Sequence, residues 1–395
     1  MRIAKIFVGE PNNRKGFFNN VIERTECLLQ LESSVDCFII RGYYGFFFKL
    51  LKFDFTPQEK TKYTLINNVR YNYIWLKLSF LDYILTYKFR LGSVRGKRML
   101  LHMSKNFKNY QILSVHGVEA IFLASCLKKS YDVPFIAYWH GSEINYLPFY
   151  NSITRKEIRS FLDDADCNFF VSKKLMNTAE IISPFSKKEV LYTGPSKLFK
   201  PLNERDISRI KLKYGLNSKY VVGFVGNLKK VKNVLMLPHI FKLLQTYYDY
   251  DISFIIIGDG KERTKILNLL NKLKIRKFLF LGNLPPNQIP DILGSINVIV
   301  LPSFNEGLPR VALEAQVCGV HVVGSDRGGI PEAIGECNCF PIDSNFSINV
   351  SKHIINLLDG LICKPTLPVQ FDTNKAVLRE ISIIKNIVEY DLHKC

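Results

Sequence analysis

The chain has 395 residues, 47% of them hydrophobic, and 54 lysines and arginines face 35 acids for a net charge of +19. That length exceeds one ordinary hydrophobic core, so two domains are expected. No run approaches the roughly 18 apolar residues a membrane-crossing helix needs, and no recognition motif accompanies the bases, which argues against a transmembrane segment and against nucleic acid binding.

The N-terminus, MRIAKIFVGEPNN, lacks the apolar stretch of a signal peptide and reads as a first strand over Ile3–Val8. Gly16 then stands at the start of a helix over Phe17–Leu31. Strands follow over Val35–Arg41, Ile112–His116, Pro134–Trp139, Asn168–Val171 and Val190–Tyr192, with a helix over Glu119–Lys129. Between about Gly42 and Asn109 no element is recognised. The run Gly194-Pro195-Ser196-Lys197-Leu198-Phe199-Lys200-Pro201 has the composition of a linker.

Beyond it, strands are expected over Tyr220–Gly226, Ile252–Gly258, Phe278–Leu281, Asn297–Leu301 and Val320–Gly324. Asn233 is a suitable N-cap for the helix after the first of these, and Pro238 should delay that helix. A short helix from Pro309 to Cys318 is bounded by proline at its first position and by Gly319 at its end. Asn374–Tyr390 reads as a final amphipathic helix. Strands alternating with helices argue for an α/β protein whose parallel sheets are covered by helices.

The charge is unevenly spread. Residues 1–200 hold 30 bases against 17 acids, and the remainder 24 against 18. Much of the excess lies between Lys49 and Lys108, where bases alternate with aromatic and aliphatic residues, as in Phe46-Phe47-Phe48-Lys49-Leu50-Leu51-Lys52-Phe53. Such a segment suits peripheral contact with an anionic membrane, although a chain rich in Lys, Ile, Tyr and Phe throughout would produce it too. Nine cysteines without CxxC pairs point to reduced thiols and a cytoplasmic setting.

The most informative run is LPSFNEGLPRVALEAQVCGVHVVGSDRGGIPEAIG, residues 301–335. It places a helix start just beyond a buried-looking strand, and such a terminus binds anions because its amides lack internal partners. Glu306 lies in the preceding loop and Glu314 about one and a half turns into the helix. An anion at Gly307, Leu308 and Pro309 would thus be flanked by two carboxylates able to accept sugar hydroxyls. Two glutamates at this spacing are common on solvated helices, so the surrounding motif carries the weight.

That motif resembles the signature of family-four glycosyltransferases (group 1) of the GT-B fold, through Pro302, Ser303, Glu306, Gly307, Glu314, Ala315, Cys318, Gly319, Val322, Val323, Gly328, Gly329 and Glu332. His321 stands where the family usually has proline. The resemblance implies two doubly wound Rossmann-like domains facing across a cleft: residues 1–197 on the acceptor side, 198–370 binding the nucleotide sugar, and 371–395 as a helix crossing back to the first domain. It also implies that Gly16 lets the backbone approach a diphosphate. The loop Gly226-Asn227-Leu228-Lys229-Lys230-Val231-Lys232 is similar to one in which an arginine and a lysine grip that diphosphate. Lys232 falls on the lysine position. Asn227 replaces the arginine and cannot supply its charge, so Lys229 or Lys230 is left to compensate. Tyr138-Trp139-His140-Gly141-Ser142-Glu143 resembles a segment whose histidine reaches the transferred sugar or its acceptor, with His116 as a second candidate.

The implied activity is retaining transfer of a hexose-type sugar from a UDP- or GDP-sugar to a lipid-linked glycan or polysaccharide in bacterial surface-polysaccharide synthesis. His140 and Glu306 would serve the chemistry. Gly16, Asn227, Lys232, Gly307, Leu308, Pro309 and Glu314 would hold the donor, with no cofactor and no metal. Asp164-Ala165-Asp166 and Asp249-Tyr250-Asp251 superficially match a metal-binding DxD and are discounted on their context. Gly258-Asp259-Gly260 is read as a tight turn, since no GxGxxG follows a strand. The alternatives are a sugar-nucleotide epimerase of the same fold, or a partner subunit that has lost turnover.

Overall fold

The computed structural model describes residues 1–8, 16–31, 34–44, 60–85, 94–248, 251–360 and 365–392. The chain forms two compact units, Met1–Thr193 together with Thr373–Cys395, and Gly194–Asp372.

The first unit is built on eight strands: β1 (Ile3–Val8), β2 (Val35–Tyr44), β3 (Tyr63–Ile66), β4 (Val69–Leu78), β5 (Ile112–His116), β6 (Phe135–Trp139), β7 (Cys167–Phe170) and β8 (Lys188–Val190). Their order is β3-β4-β2-β1-β5-β6-β7-β8. All neighbours pair in parallel except β3 with β4. Runs such as Ile-Ala-Lys-Ile-Phe and Phe-Ile-Ala-Tyr-Trp are buried throughout, as expected for strands covered on both faces.

The second unit holds β9 (Tyr220–Val225), β10 (Ile252–Ile257), β11 (Phe278–Gly282), β12 (Val298–Leu301), β13 (His321–Ser325) and β14 (Cys339–Phe340), in the order β11-β10-β9-β12-β13-β14. The pairing is parallel throughout. The chain winds outward in both directions from β9 and β12, so the loops leaving their carboxyl ends emerge side by side. In the first unit the same reversal falls between β1 and β5. Such switch points are where doubly wound sheets leave a crevice for ligands.

Several elements differ from the sequence reading. β2 runs on to Tyr44, and the hairpin β3–β4 occupies part of the stretch where no element was recognised. Asn67 and Asn68 form its two-residue turn with φ of 50° and 64°, the left-handed pair such a turn requires. That Asn-Asn between Tyr-Thr-Leu-Ile and Val-Arg-Tyr was the legible signal for it, and it makes one edge of the sheet antiparallel. The last strand of the first sheet is Lys188–Val190 rather than Val190–Tyr192, because its register runs Asn168↔Lys188 to Phe170↔Val190. The short helix is Arg310–Val317, with Pro309 just outside it at ψ 99°. Asn233 does not cap with its side chain; at φ 50° it joins two 3-10 turns, Lys230–Lys232 and Val234–Met236. The next helix, Leu237–Tyr248, carries Pro238 in its first turn, where no amide is missed. Gly9-Glu10-Pro11, Lys15, Lys49 and Lys52 lie outside the described residues, as do Asp249 and Tyr250.

The final helix, Thr373–Leu392, belongs to the first unit. Its stripe Val377, Ile381, Ile384 and Val388 recurs at helical spacing and packs on Leu28, Ile3, Ile112 and Ile136. Within that apolar seam lies Glu380, fully buried, 2.5 Å from Arg24 and 3.9 Å from Lys5, which are themselves buried. Burial alone would raise this carboxyl, but Arg24 and then Lys5 hold it below its usual range.

Candidate functional site

In the second unit, two loops separated by 74 positions converge beyond the carboxyl ends of β9 and β12. Lys232, in the 3-10 turn after β9, places its Nζ 2.5 Å from Oε1 of Glu306, in the loop after β12. The Ser303 hydroxyl donates to the same oxygen at 2.8 Å. Ser303 is buried, and its carbonyl in turn accepts from the Ser325 hydroxyl at the end of β13 at 2.6 Å. The loops are also joined through their backbones, Phe304 N–H to Val231 O at 2.8 Å.

The two glycines that close the motif explain themselves here. Gly328 has φ +58°, and a Cβ on it would lie 2.1 Å from the carbonyl oxygen of Glu306. The amide of Gly329 donates to that same carbonyl at 3.0 Å. Gly328 and Gly329 therefore act as a floor that sets the height of Glu306. A similar close approach accounts for Gly258, where a Cβ would meet the Gly226 carbonyl at 2.0 Å. Gly258-Asp259-Gly260 thus packs against the loop that carries Lys232 and has no need of a dinucleotide to explain it.

Glu314, about one turn into the helix, sits 3.5 Å from Nε of Arg310, both side chains being largely covered. Arg310 was not singled out from the sequence, though its i, i+4 spacing to Glu314 is a legible pairing signal. Pro309 is buried and supplies no amide, so the helix start offers the backbone of Arg310 onward rather than of Pro309. Gly307 and Leu308 lie half-buried in the loop before it. Asn227, Lys229 and Lys230 are exposed. Gly16 opens the first helix of the first unit, after β1.

In the first unit, His140 follows the end of β6 and His116 closes β5. Their rings are in contact, Nδ1 of His116 lying 3.2 Å from Nε2 of His140. His116 stacks on Tyr138 with ring centroids 4.1 Å apart. Glu143, two residues beyond Gly141 in the short helix Ser142–Asn145, accepts that glycine's amide at 3.1 Å. Burial, reinforced by the charges of Arg24 and Lys5, holds the His140 imidazole down at about 3. His116 is also far below its usual value, from burial first and then Lys5, His140 and Arg24.

These depressed imidazoles fix a sign for the pH dependence of stability. Between the ordinary histidine value and about 3, the unfolded chain binds protons that folded His140 refuses, so acidification favours unfolding. The stabilisation is complete above the unfolded value and is lost as the pH falls towards the folded one. The urea midpoint of the first unit should therefore drop between pH 7.5 and pH 5, and less so in His140→Asn. A midpoint flat across that range would contradict the depressed titration of these rings.

The DxD candidate at Asp164 and Asp166 is occupied structurally. Asp164 accepts from Ser125 and Lys129 at 2.5 Å each, while Asp166 takes the Phe135 amide at 2.9 Å and pairs with Lys128. The two carboxylates serve different partners and form no shared ligand set.

Two Rossmann-like units, the second bringing a lysine, a serine and a glutamate together beyond its sheet's carboxyl ends, define a protein of the GT-B fold. Solved structures agree. A sucrose-phosphate synthase from Thermosynechococcus elongatus is similar with a TM-score of 0.70 at 16% identity, covering 99% of each chain. Anabaena Alr3699/HepE, solved in complex with UDP and glucose, has a TM-score of 0.65 at 15% identity over 99% of this chain and 100% of that one. At such identities the likeness is one of fold. Residues 206–364, most of the second unit, match the family model described as Glycosyl transferases group 1.

Among curated relatives, the N-acetyl-alpha-D-glucosaminyl L-malate synthase of Bacillus anthracis is 29% identical over 58% of this chain and 59% of its own length. TuaC of Bacillus subtilis (strain 168), provisionally named a teichuronic acid biosynthesis glycosyltransferase, is 26% identical over 64% of each. The chain thus spans about three fifths of the length of these relatives.

Proposed function

We propose that this protein is a retaining glycosyltransferase that moves a hexose-type sugar from a UDP- or GDP-sugar to a lipid-linked glycan or polysaccharide acceptor in bacterial surface-polysaccharide synthesis. The observation that carries the reading is the 2.5 Å contact between Lys232 and Glu306, with Ser303 on the same carboxylate oxygen. It sets a cation suited to a diphosphate directly beside a carboxylate suited to sugar hydroxyls. The match of residues 206–364 to group 1 supports it, as do the UDP and glucose bound by Anabaena HepE and the teichuronic acid role given to TuaC.

Cleaving the bond to the sugar gathers negative charge on the departing diphosphate and positive character on the ring. Lys232, the helix start at Gly16 and the backbone of Gly307 and Leu308 stabilise the leaving group, so that no divalent ion is required. Pro309 shapes that turn and Asn227 adds a neutral contact. Glu306 holds sugar hydroxyls, Glu314 the ribose hydroxyls, and His140 the transferred sugar or the acceptor oxygen. The basic, apolar stretch Lys49–Lys108 attaches the protein to the anionic inner face of the cell membrane, where a lipid-linked acceptor is met.

Incubating the protein with UDP- and GDP-sugars and membrane extract tests this. Transfer to the extract supports it. An isomerised donor would favour an epimerase instead, and binding without turnover a degenerate partner subunit. Glu314→Ala should weaken UDP or GDP binding by about tenfold or more, the scale of a lost hydrogen bond to a charged group, as read by calorimetry. Unchanged nucleotide affinity would remove Glu314 from the site.

A further inference from the structure

The first unit contains a column of side chains that leads to His140, and the proposed chemistry uses none of it but that last ring. Glu380 bonds Arg24, the Arg24 guanidinium lies 4.9 Å above the Tyr138 ring, Tyr138 stacks on His116, and His116 touches His140. These residues come from the final helix, the first helix, β6, β5 and the loop after β6. We propose that His116 is a positioning residue, fixing the ring orientation and the tautomer of His140 through the contact between Nδ1 of His116 and Nε2 of His140. This rests on the reading of His140 as a site residue.

Hydrogen-bond chemistry makes the coupling strict. Burial, reinforced by the charges of Lys5 and Arg24, keeps both imidazoles neutral, so each ring carries a single N–H. A 3.2 Å contact between two ring nitrogens then requires one donor and one acceptor. If His116 carries its proton on Nδ1, His140 must carry its own on Nδ1. If His116 carries it on Nε2, His140 must donate from Nε2. Whichever holds, the proton on one ring dictates the other.

His116 is suited to impose that choice because its own ring has little freedom. It is 1% exposed, lies within 10° of parallel to Tyr138, and meets Phe7 edge-on at 6.5 Å. His140 by contrast follows the strand end and is only half-buried. A histidine that must accept or hold a proton at one atom loses rate when its ring turns or its tautomers mix. Among the described residues, Lys5, Arg24 and Tyr138 face the pair from the same buried column, and the Glu143 carboxylate accepts the backbone amide of His140.

The test uses the full chain labelled with ¹⁵N-histidine, the variants His116→Asn and His116→Gln, and ring-nitrogen spectra at neutral pH. Asparagine places an amide near the Nδ1 position, whereas glutamine reaches towards Nε2. His140 should show one tautomer in the parent and in His116→Asn, and mixed tautomers in His116→Gln. In transfer assays with membrane extract, His116→Gln should lower kcat about ten- to a hundredfold with donor KM little changed, and His116→Asn should restore most of it. Identical His140 spectra in all three proteins, or equal loss of kcat in both variants, would overturn the proposal. Full activity in His140→Asn would instead remove the reading of His140 itself, leaving the spectral coupling to be judged alone.

Discussion

Replacing Lys232 by alanine is expected to lower sugar transfer about 10²- to 10³-fold, the loss that follows removal of one preorganised charge-stabilising group. Lys232 has two tasks. It supplies positive charge where the diphosphate departs, and it neutralises Glu306, whose side chain is only 11% exposed. Without the ammonium, Ser303 alone remains on that oxygen. Glu306→Gln should keep the Ser303 contact and lose the charge, suppressing kcat more than nucleotide affinity. Because the two side chains act as a pair, the double variant should lose much less than the product of the single losses. Initial rates of nucleotide release would measure all three. Parent-level rates in Lys232→Ala, or fully multiplicative losses, would mean the contact has no part in transfer.

Glu380→Ala should destabilise the first unit by about 3–5 kcal/mol, the cost of leaving buried charge uncompensated. Lys5 is fully buried and Arg24 is 3% exposed, so neither reaches water when Glu380 is removed. The final helix would then be held by its apolar stripe and by surface contacts such as Arg379 with Glu189, and the urea midpoint of the first unit should fall while that of the second stays in place. Glu380→Leu combined with Lys5→Met and Arg24→Met should recover part of the loss, since an apolar trio of similar volume leaves no buried charge unpaired. A Glu380→Ala protein as stable as the parent would mean that the charges find water when the carboxylate goes.

Much of the fold was legible because doubly wound sheets write themselves as uniform apolar runs. β1, β5, β9 and β12 are short stretches of Ile, Val, Leu and Phe bounded by polar loops, and their parallel pairing follows from the helices between them. The β3–β4 hairpin was missed because its strands are half exposed and mix aromatic with charged residues. Only the Asn67-Asn68 turn announces it. The lysine and the acids of the second unit were found through the motif that surrounds them, while their mutual contact was not visible at a separation of 74 positions. Ser325 carried no signal at all, since nothing in the spacing of a strand-end serine says that its hydroxyl will meet the Ser303 carbonyl.

Local sequence, then, determined the alternation of strand and helix and the glycines at tight approaches, and it carried the motif by which residues 206–364 match a family model. Tertiary structure alone decided that Lys232 meets Glu306, that His116 leans on His140, and that Glu380 is sunk between two cations. Periodicity and turn chemistry act over a few residues, so they can be read along a chain. Pairing between charges depends on which loops a twisted sheet brings side by side, and that is fixed only when the strand order is.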